Sequence, residues 1–386
     1  MAGEPRLRHP SPAGRVLLPL LARRTAEAGV QNSCFFRSGP ADGHRKALVK
    51  ITERCDLHCA HCFVSATRLG SDMPAAALTL TVMSRFTEAR VANVTLTGGE
   101  PFVHPDLLLI VENFVDNGMD VTICTNGVAI TDDAIQRLQE LQRVRVNVSL
   151  DGASEHSHGR FRGDRASFNA TMSNTRALGD AGLLKGILCT PNALATPDEY
   201  ESLYALAAEL GADYFLMNPL SSFGRGIKAR ARLEADMGMM MQTQAAVERR
   251  ADGSQGPEAV FVRFPQQREP LSACIAGDVI YVFVNGNVTV CPYLVFATQN
   301  PRSQHKAAEF IVGNLFEDAD IVPKLDAYNF HERYVLGNNA SCNSCDLDGS
   351  CGKGCPAAVI SAGGRIGDLD AEVCPTTTDT SAAACS

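Results

Sequence analysis

The stretch from residue 55 to residue 62 reads Cys-Asp-Leu-His-Cys-Ala-His-Cys. Its cysteines have the spacing C-x3-C-x2-C, and it follows the apolar, β-branched segment 47–52. Three thiolates on one loop can hold a [4Fe-4S] cluster and leave one iron open to an outside ligand. A structural zinc site is the alternative, because His58 or His61 can supply the fourth ligand that such sites usually have.

Segment 47–52 is the first of six stretches with the composition of buried strands. The other five are 94–97, 120–125, 145–150, 185–190 and 213–218. Helical stretches separate them, and start signals such as Thr196-Pro197-Asp198-Glu199 support the helices, because Thr196 can cap and Pro197 suits the first helical position. This alternation predicts an α/β fold in which a parallel sheet curls into a partial (β/α)6 barrel of the TIM type. Functional groups are then expected at the carboxyl ends of the strands.

The second predicted strand ends in Thr-Gly-Gly-Glu-Pro, residues 97–101. Gly98 and Gly99 permit close backbone approach, and Glu100 offers a carboxylate to an ammonium group. Together with the cysteine motif, this motif resembles the radical S-adenosylmethionine (SAM) superfamily over about residues 45–220. The resemblance implies that SAM chelates the open iron and that an electron from the reduced cluster cleaves it. The products are methionine and a 5′-deoxyadenosyl radical, which abstracts hydrogen from the substrate.

The resemblance also implies roles for individual residues. The cluster ligands are Cys55, Cys59 and Cys62, and the residues expected to contact SAM are Gly98, Gly99, Glu100, His61, Thr125, Asn126, Ser149, Asp151 and Arg160. His61 occupies the position at which the family usually has an aromatic residue near adenine. Arg162, like Arg160, follows the fourth strand and can reach the carboxylate of SAM or of an acidic substrate, although both also suit a solvated loop. No residue is assigned as a catalytic base.

Seven of the fourteen cysteines follow residue 270 in a second pattern. They are spaced Cys274-x11-Gly286-x4-Cys291, then Cys342-x2-Cys345-x5-Cys351-x3-Cys355, then Cys374 after eighteen residues. Residues 281–290 predict a β-hairpin that turns at Asn285-Gly286. The pattern resembles the SPASM extension of the same superfamily, a small cysteine-rich iron-sulfur domain. Family connectivity implies a distal [4Fe-4S] cluster on Cys342, Cys345, Cys351 and Cys374, and a proximal one on Cys274, Cys291 and Cys355.

The proximal cluster is expected to have an open iron, because residues 264–273 contain no further cysteine. Cys34 and Cys385 can reach in as a fourth ligand, but free surface thiols are the simpler interpretation. Cys124 and Cys189 lie near predicted strand ends. Either can donate hydrogen to a substrate radical, while a role as small core residues is the competing interpretation.

Composition limits the remaining choices. The formal net charge of −8 argues against binding to nucleic acid by bulk electrostatics. No apolar run is long enough to cross a bilayer, and no export signal is evident, so we expect a cytoplasmic protein with reduced thiols and no membrane partner. The predicted division is an N-terminal arm at 1–45, the barrel at 46–225, a helical linker at 226–270, the auxiliary-cluster domain at 271–375 and a flexible tail at 376–386.

Three functions are compatible with these motifs. The first is maturation of a ribosomally made peptide by crosslinking, dehydrogenation or epimerisation, as in most members with this extension. The second is radical oxidation, epimerisation or sulfur insertion on a small antibiotic precursor such as a sugar, aminocyclitol or nucleoside. The third is a non-catalytic iron-sulfur electron carrier, which needs neither Glu100 nor an open cluster. An enzyme of this kind needs a flavodoxin- or ferredoxin-type electron donor. The roughly 45 residues before the first strand are too few for a leader-recognition domain of about 80 residues. We therefore expect a peptide substrate to be recognised in the barrel cleft or through a separate leader-binding protein.

Overall fold

The computed structural model describes residues 44–253, 255–264, 269–277 and 279–377. The predicted N-terminal arm and tail, with Cys34 and Cys385, lie outside these residues apart from a few positions at their inner ends. The division into domains stays a prediction.

A single sheet of ten strands organises the molecule. The strands are β1 (Arg45–Thr52), β2 (Val91–Gly98), β3 (Asp120–Thr125), β4 (Val144–Ser149), β5 (Leu184–Cys189), β6 (Tyr214–Met217), β7 (Glu258–Phe261), β8 (Val279–Val282), β9 (Asn287–Thr289) and β10 (Ile311–Asn314). Their order is β10-β9-β8-β1-β2-β3-β4-β5-β6-β7. From β1 to β7, each strand pairs in parallel with the next strand along the chain. The six predicted strands and the α/β class are confirmed.

Helices connect the parallel strands and continue into the cysteine-rich region. The α-helices are α1 (Ala75–Ala77), α2 (Met83–Glu88), α3 (Leu107–Asp116), α4 (Asp132–Glu140), α5 (Arg160–Arg162), α6 (Ser167–Asp180), α7 (Pro197–Glu209), α8 (Gly226–Leu233), α9 (Met237–Ala251), α10 (Pro292–Ala297), α11 (Ile321–Ala327), α12 (Phe330–Arg333), α13 (Ala340–Asn343) and α14 (Pro356–Ser361). Turns of π or 3-10 helix are Leu78–Val82, Pro101–Val103, Glu155–Gly159 and Ala307–Phe310. Within the described ranges, no helix is both long and apolar enough to cross a bilayer.

The sheet extends beyond the six predicted strands on both sides. At one side, β7 adds a seventh parallel strand from the segment that the sequence analysis assigned to a helical linker. At the other side, β8 pairs in parallel with β1, and the expected hairpin of β8 and β9 turns at Gly286 with a φ of 84°. In the part of the chain that the structure describes, β7 and β10 are the sheet edges, so hydrogen bonds do not close the barrel.

Alternation along the strands separates two environments. One set of side chains, which includes Val49, Leu96, Ile123 and Val146, is fully buried in the main apolar core, together with Phe86 and Phe114 of the surrounding helices. The opposite set faces a cavity inside the curled sheet and is more polar; it includes Leu48, Thr95, Cys124, Ser149, Leu188 and Leu216. The sheet therefore has an apolar outer face for the helices and a chemically mixed inner face.

Gly186 of β5 allows an aromatic ring to cross the inner face. A Cβ atom at this position would lie 2.5 Å from Cε2 of Tyr214, whose hydroxyl donates to Oδ1 of Asn147 at 2.7 Å. The Gly186→Ala variant is expected to destabilise the fold by about 1–3 kcal/mol, because the ring must move and strain its hydrogen bond. Urea unfolding followed by circular dichroism measures this.

Gly238→Ala is the matched control. Gly238 lies in α9, and its added Cβ meets nothing closer than 3.4 Å. This control is expected to stabilise the protein by roughly 0.5–1 kcal/mol, because alanine restricts the unfolded chain. Equal effects of the two substitutions would contradict the crowding that we assign to Gly186.

Candidate functional site

A cavity of about 750 Å³ lies at the carboxyl ends of the parallel strands. Most of the residues that the sequence analysis assigned to the site line it: Cys55, Cys59, His61, Cys62, Gly98, Gly99, Thr125, Asn126, Ser149 and Asp151. Cys355 of the second cysteine pattern lines the same cavity. The carboxyl ends of parallel strands meet at one edge of a sheet, which explains why residues from distant motifs converge here.

Backbone hydrogen bonds join the two motifs directly. The amide of Gly99 donates to the carbonyl oxygen of Thr52 at 2.9 Å, and the amide of Glu100 donates to that of Arg54 at 2.8 Å. A Cβ atom on Gly99 would lie 2.1 Å from the Arg54 oxygen, so only glycine permits this approach. The contact holds the loop that carries the three cysteines against the end of β2.

The three cysteines of this loop have the chemistry of cluster ligands. Cys55 and Cys59 are buried, Cys62 is half-buried, and none of them forms a disulfide. Burial raises the pKa of the Cys55 thiol to about 12 and that of Cys59 to about 11. At neutral pH such thiols stay protonated unless a cation replaces the proton, so they suit a site that binds iron with release of protons. The donor set therefore fits a [4Fe-4S] cluster.

The zinc alternative requires a histidine ligand beside these thiols, and both candidate histidines have other surroundings. His58 is exposed. His61 stacks on Phe161 with ring centroids 4.3 Å apart, and its Nε2 lies 3.8 Å from Oδ2 of Asp151. Within the described ranges, no group of three or more His, Cys, Asp or Glu side chains is arranged to hold a single metal ion. Zinc draws its ligand sulfurs close together, whereas a cluster spreads them over different irons.

A buried ion pair forms the wall beside these cysteines. Asp151 follows β4, and its Oδ2 accepts a hydrogen bond from Nε of Arg162 at 2.7 Å, while its Oδ1 accepts one from the amide of Thr190 at 2.8 Å. Burial acts to raise the pKa of Asp151, but the charge of Arg162 outweighs it and holds the pKa below its ordinary value. Burial lowers the pKa of His61 to about 4, so its imidazole is neutral. The wall thus carries a fixed cation and a fixed anion.

The two arginines after the fourth strand have different positions. Arg162 is buried and lines the cavity, whereas Arg160 is exposed and is not among the cavity residues. Both follow the π-helical turn Glu155–Gly159, and a shift of two residues along a helix points a side chain to the opposite face. The sequence named both arginines as candidates but did not show which one turns inward.

The Glu100 carboxylate lies behind the cavity wall. It is fully buried and accepts hydrogen bonds from the amide of Phe102, the amide of Asn126 and the hydroxyl of Thr125, at 3.0, 2.7 and 2.7 Å. Burial raises the pKa of Glu100 to about 7, against the effect of these hydrogen bonds. The carboxylate ties the ends of β2 and β3 together, and its contact with the amino group of SAM stays a prediction.

Comparison with known proteins identifies the family. Residues 49–209 match the model of the radical SAM superfamily. These residues form a radical SAM domain. This radical SAM protein is 26% identical over 340 residues to an AdoMet-dependent heme synthase of Methanosarcina barkeri, a match that covers 82% of this chain and 92% of that protein. It is 26% identical over 333 residues to the mycofactocin maturase MftC of Mycobacterium tuberculosis, covering 84% and 81%.

The same fold occurs in a solved structure. The crystal structure of Streptococcus suis SuiB bound to precursor peptide SuiA matches with a TM-score of 0.67 and 17% sequence identity, and the match covers 85% of this chain and 75% of that chain. The radical SAM domain, together with the maturase relative, identifies this protein as an enzyme that uses SAM and a [4Fe-4S] cluster.

The four cysteines that the sequence analysis grouped as the distal set surround a second, small cavity of about 20 Å³. They are Cys342, Cys345, Cys351 and Cys374. Amide groups donate to three of their sulfurs: Leu347 N to Cys345 at 3.4 Å, Lys353 N to Cys351 at 3.5 Å and Asn339 Nδ2 to Cys342 at 3.4 Å. Hydrogen bonds from amides stabilise negatively charged sulfur, so this arrangement suits thiolate ligands.

The proximal set belongs to one apolar cluster, and its Cys355 also lines the large cavity. Cys291 is buried, and Cys274 and Cys355 pack against the same apolar cluster. Tyr328 belongs to that cluster, and its hydroxyl is buried without a hydrogen-bond partner among the described residues. A buried hydroxyl without a hydrogen-bond partner costs free energy. The position of Tyr328 therefore fits a bound group that accepts a hydrogen bond from this hydroxyl. The number of auxiliary clusters stays a prediction.

The remaining cysteines of the barrel both reach the large cavity. Cys189 is buried, and its thiol donates to the carbonyl oxygen of Leu150 at 2.9 Å. Burial raises the pKa of both Cys124 and Cys189, so both are thiols rather than thiolates at neutral pH.

Sequence analysis assigned no role to Arg225, Arg263 or Glu372, which also line the cavity. They lie beyond the last predicted strand, where no spacing or motif marks them.

Arg162→Gln is expected to destabilise the protein by about 3–5 kcal/mol, because it leaves the Asp151 carboxylate buried without its cation. Arg160→Gln is the matched control and is expected to change stability by less than about 0.5 kcal/mol, since its side chain is exposed. Urea unfolding of both variants, prepared identically, measures the difference. If both variants unfold at the same urea concentration, Arg162 does not form the buried pair described here.

Proposed function

We propose that this radical SAM enzyme modifies a ribosomally made peptide, by forming a crosslink, removing hydrogen or inverting a stereocentre. The observation that carries the proposal is the single cavity that joins the thiols of Cys55, Cys59 and Cys62 to Cys355. A substrate in this cavity lies between the site of SAM and the proximal auxiliary cysteines. In a two-electron oxidation, hydrogen abstraction and removal of the second electron can then take place on opposite sides of one residue of the bound peptide.

When bound, SAM and its cluster supply a 5′-deoxyadenosyl radical that can abstract hydrogen from an unactivated carbon. The protein positions the reactants. The backbone of Gly98 and Gly99, with Asn126 and Ser149, would hold the methionine part of SAM. Arg162 would bind the carboxylate of SAM, and Asp151 holds the Arg162 guanidinium in place. These groups orient SAM and exclude water, and none of them needs to exchange a proton during the reaction.

The size and lining of the cavity suit a peptide side chain beside SAM. Its volume of about 750 Å³ lies in the upper part of the range of roughly 300–1,000 Å³ that is usual for ligand pockets. Between the two groups of cysteines, its wall is aromatic: Phe63, Phe223, Tyr281 and Tyr293. Phe223 stacks on Tyr293, with ring centroids 5.6 Å apart. An apolar or aromatic target residue fits this part of the cavity best.

The relatives support two candidate substrates. The match to the maturase MftC, and a fold shared with SuiB bound to a precursor peptide, support the peptide. The second candidate is oxidation, epimerisation or sulfur insertion on a small molecule, such as a sugar, aminocyclitol or nucleoside precursor of an antibiotic. The match to the heme synthase over 92% of its length favours this alternative, since that name denotes synthesis of a small molecule.

The proposal includes two auxiliary [4Fe-4S] clusters. The distal cluster is held by Cys342, Cys345, Cys351 and Cys374, and the proximal one by Cys274, Cys291 and Cys355 with one open iron. It also includes a flavodoxin- or ferredoxin-type electron donor and a separate protein that presents the leader of the peptide. We place the enzyme in the cytoplasm, where thiolate ligands stay reduced.

The substrate class is tested by expressing the enzyme with the short peptides encoded beside its gene. A mass decrease of about 2 Da marks a crosslink or dehydrogenation, and an increase of about 1 Da in heavy water marks epimerisation. The control is Cys59→Ala, which is expected to abolish both the mass change and the release of 5′-deoxyadenosine. Unmodified peptides, together with a small precursor that stimulates release of 5′-deoxyadenosine, would favour the second candidate.

Iron content tests the auxiliary clusters. Anaerobic reconstitution of the wild-type chain is expected to give about twelve irons, since each of the three clusters holds four. Substituting Cys55, Cys59 and Cys62 together by alanine, or Cys342 and Cys345 together, is expected to reduce the count to about eight in each case. A wild-type count near four irons would refute the auxiliary clusters and leave the first cluster unaffected.

A further inference from the structure

The turn between β6 and α8 packs directly on the loop that carries the first three cysteines. The amide of Arg225 donates to the carbonyl oxygen of Cys62 at 3.0 Å. Its neighbour Gly224 has a φ of 51°, and a Cβ atom there would lie 2.5 Å from the Cys62 oxygen and 2.6 Å from the Phe63 oxygen. The backbone of the turn therefore touches the backbone of the loop, across more than 150 residues of sequence, with no side chain between them.

The side chain of Arg225 reaches further along the same loop. Its Nε donates to the carbonyl oxygen of Cys59 at 2.8 Å, and its Nη1 donates to that of Ala66 at 2.7 Å. One guanidinium thus bridges two loop positions that flank Cys62. The planar fork of arginine can hold two acceptors in a set geometry, which lysine cannot do. Both acceptors are carbonyl oxygens, so these bonds leave the positive charge without a carboxylate partner.

That charge lies close to the cluster ligands. The Nε of Arg225 donates to the carbonyl oxygen of Cys59 at 2.8 Å, and its backbone amide donates to that of Cys62 at 3.0 Å. Arg162 is paired with Asp151, whereas the two side-chain bonds of Arg225 end on neutral groups. A cation beside the thiolates favours the more negative state of the group they bind, because opposite charges attract. A reduced cluster carries one more negative charge than an oxidised one.

We propose that Arg225 is a positioning residue of the SAM-binding cluster, with two separable effects. Its fork of hydrogen bonds holds the loop 59–66, which carries Cys59 and Cys62, and its charge stabilises the reduced cluster. The inference goes beyond the proposed function, because it concerns the cluster site and is independent of the substrate. The sequence does not indicate it, since Arg225 follows the last strand of the predicted barrel and belongs to no motif.

Two substitutions of Arg225 separate the effects. Arg225→Gln removes both the charge and the fork, while Arg225→Lys keeps the charge and loses the fork. Arg232→Gln is the matched control, because Arg232 is exposed on α8, a few residues further along the chain. All three are full-length, anaerobically reconstituted proteins. The potential of the SAM-binding cluster is measured by redox titration followed by electron paramagnetic resonance. Variants that also lack Cys342 and Cys345 reduce the contribution of the auxiliary clusters to the signal.

Limited trypsin digestion provides the second measurement. Arg68 is exposed, follows the clamped segment and is adjacent to Leu69, which is 95% exposed. Loss of hydrogen bonds from a charged donor is expected to speed cleavage after Arg68 about tenfold in both Arg225 variants, because the loop opens more often. Peptide mapping by mass spectrometry follows this single site. The same measurement on Arg232→Gln is expected to give the wild-type rate.

The expected pattern is specific. Arg225→Gln shifts the cluster potential to a more negative value and speeds cleavage after Arg68. Arg225→Lys speeds this cleavage but keeps a nearly wild-type potential. Arg232→Gln changes neither the potential nor the cleavage rate. Wild-type potential and wild-type cleavage in Arg225→Gln would overturn the proposal. If Arg225→Gln does not fold, Arg225→Lys alone decides, since an unchanged cleavage rate there refutes the clamp. None of these outcomes depends on a substrate, so the peptide proposal can fail while this one holds.

Discussion

The site depends on a contact of backbone with backbone. The end of β2 lies so close to the chain that leaves β1 that Gly99 donates to Thr52 and a Cβ atom on Gly99 would overlap the Arg54 oxygen. This contact places the cysteine loop over the barrel mouth, and Gly224 makes a similar approach from β6. A loop held by hydrogen bonds at both ends can present three thiols without a fourth protein ligand. The position of the three cysteines at the cavity therefore follows from how the loop is held.

Charge inside the cavity is arranged before any ligand binds. Asp151 and Arg162 are both buried and neutralise one another, so neither is left as an isolated buried charge. Arg225 contributes a second cation, which is hydrogen-bonded to the carbonyl oxygen of Cys59. Fixed charges of this kind reduce the reorganisation that is needed when an anionic cluster and a zwitterionic ligand enter. His61, at the position where the family usually has an aromatic residue, is neutral and stacks on Phe161.

The cysteine-rich region belongs to the same sheet as the barrel. Because β8 pairs with β1 and β7 pairs with β6, the two sides of the curled sheet continue into segments that sequence analysis placed outside the barrel. This continuity brings Cys355 to the cavity that holds the first three thiols. Short strands such as β7 are set by pairing with a neighbour rather than by their own four residues. Local composition therefore did not predict β7.

The sequence by itself determined the alternation of strands and helices, the α/β class and the motif spacing that resembles the radical SAM superfamily. These properties follow from periodicity and spacing, which are local. Only the tertiary structure decided that Arg162 rather than Arg160 faces the cavity, that Glu100 lies behind its wall, and that Arg225 grips the cysteine loop. Each of these depends on which side chain a turn directs inward and on contacts between segments far apart in the chain. No local pattern of residues encodes such contacts.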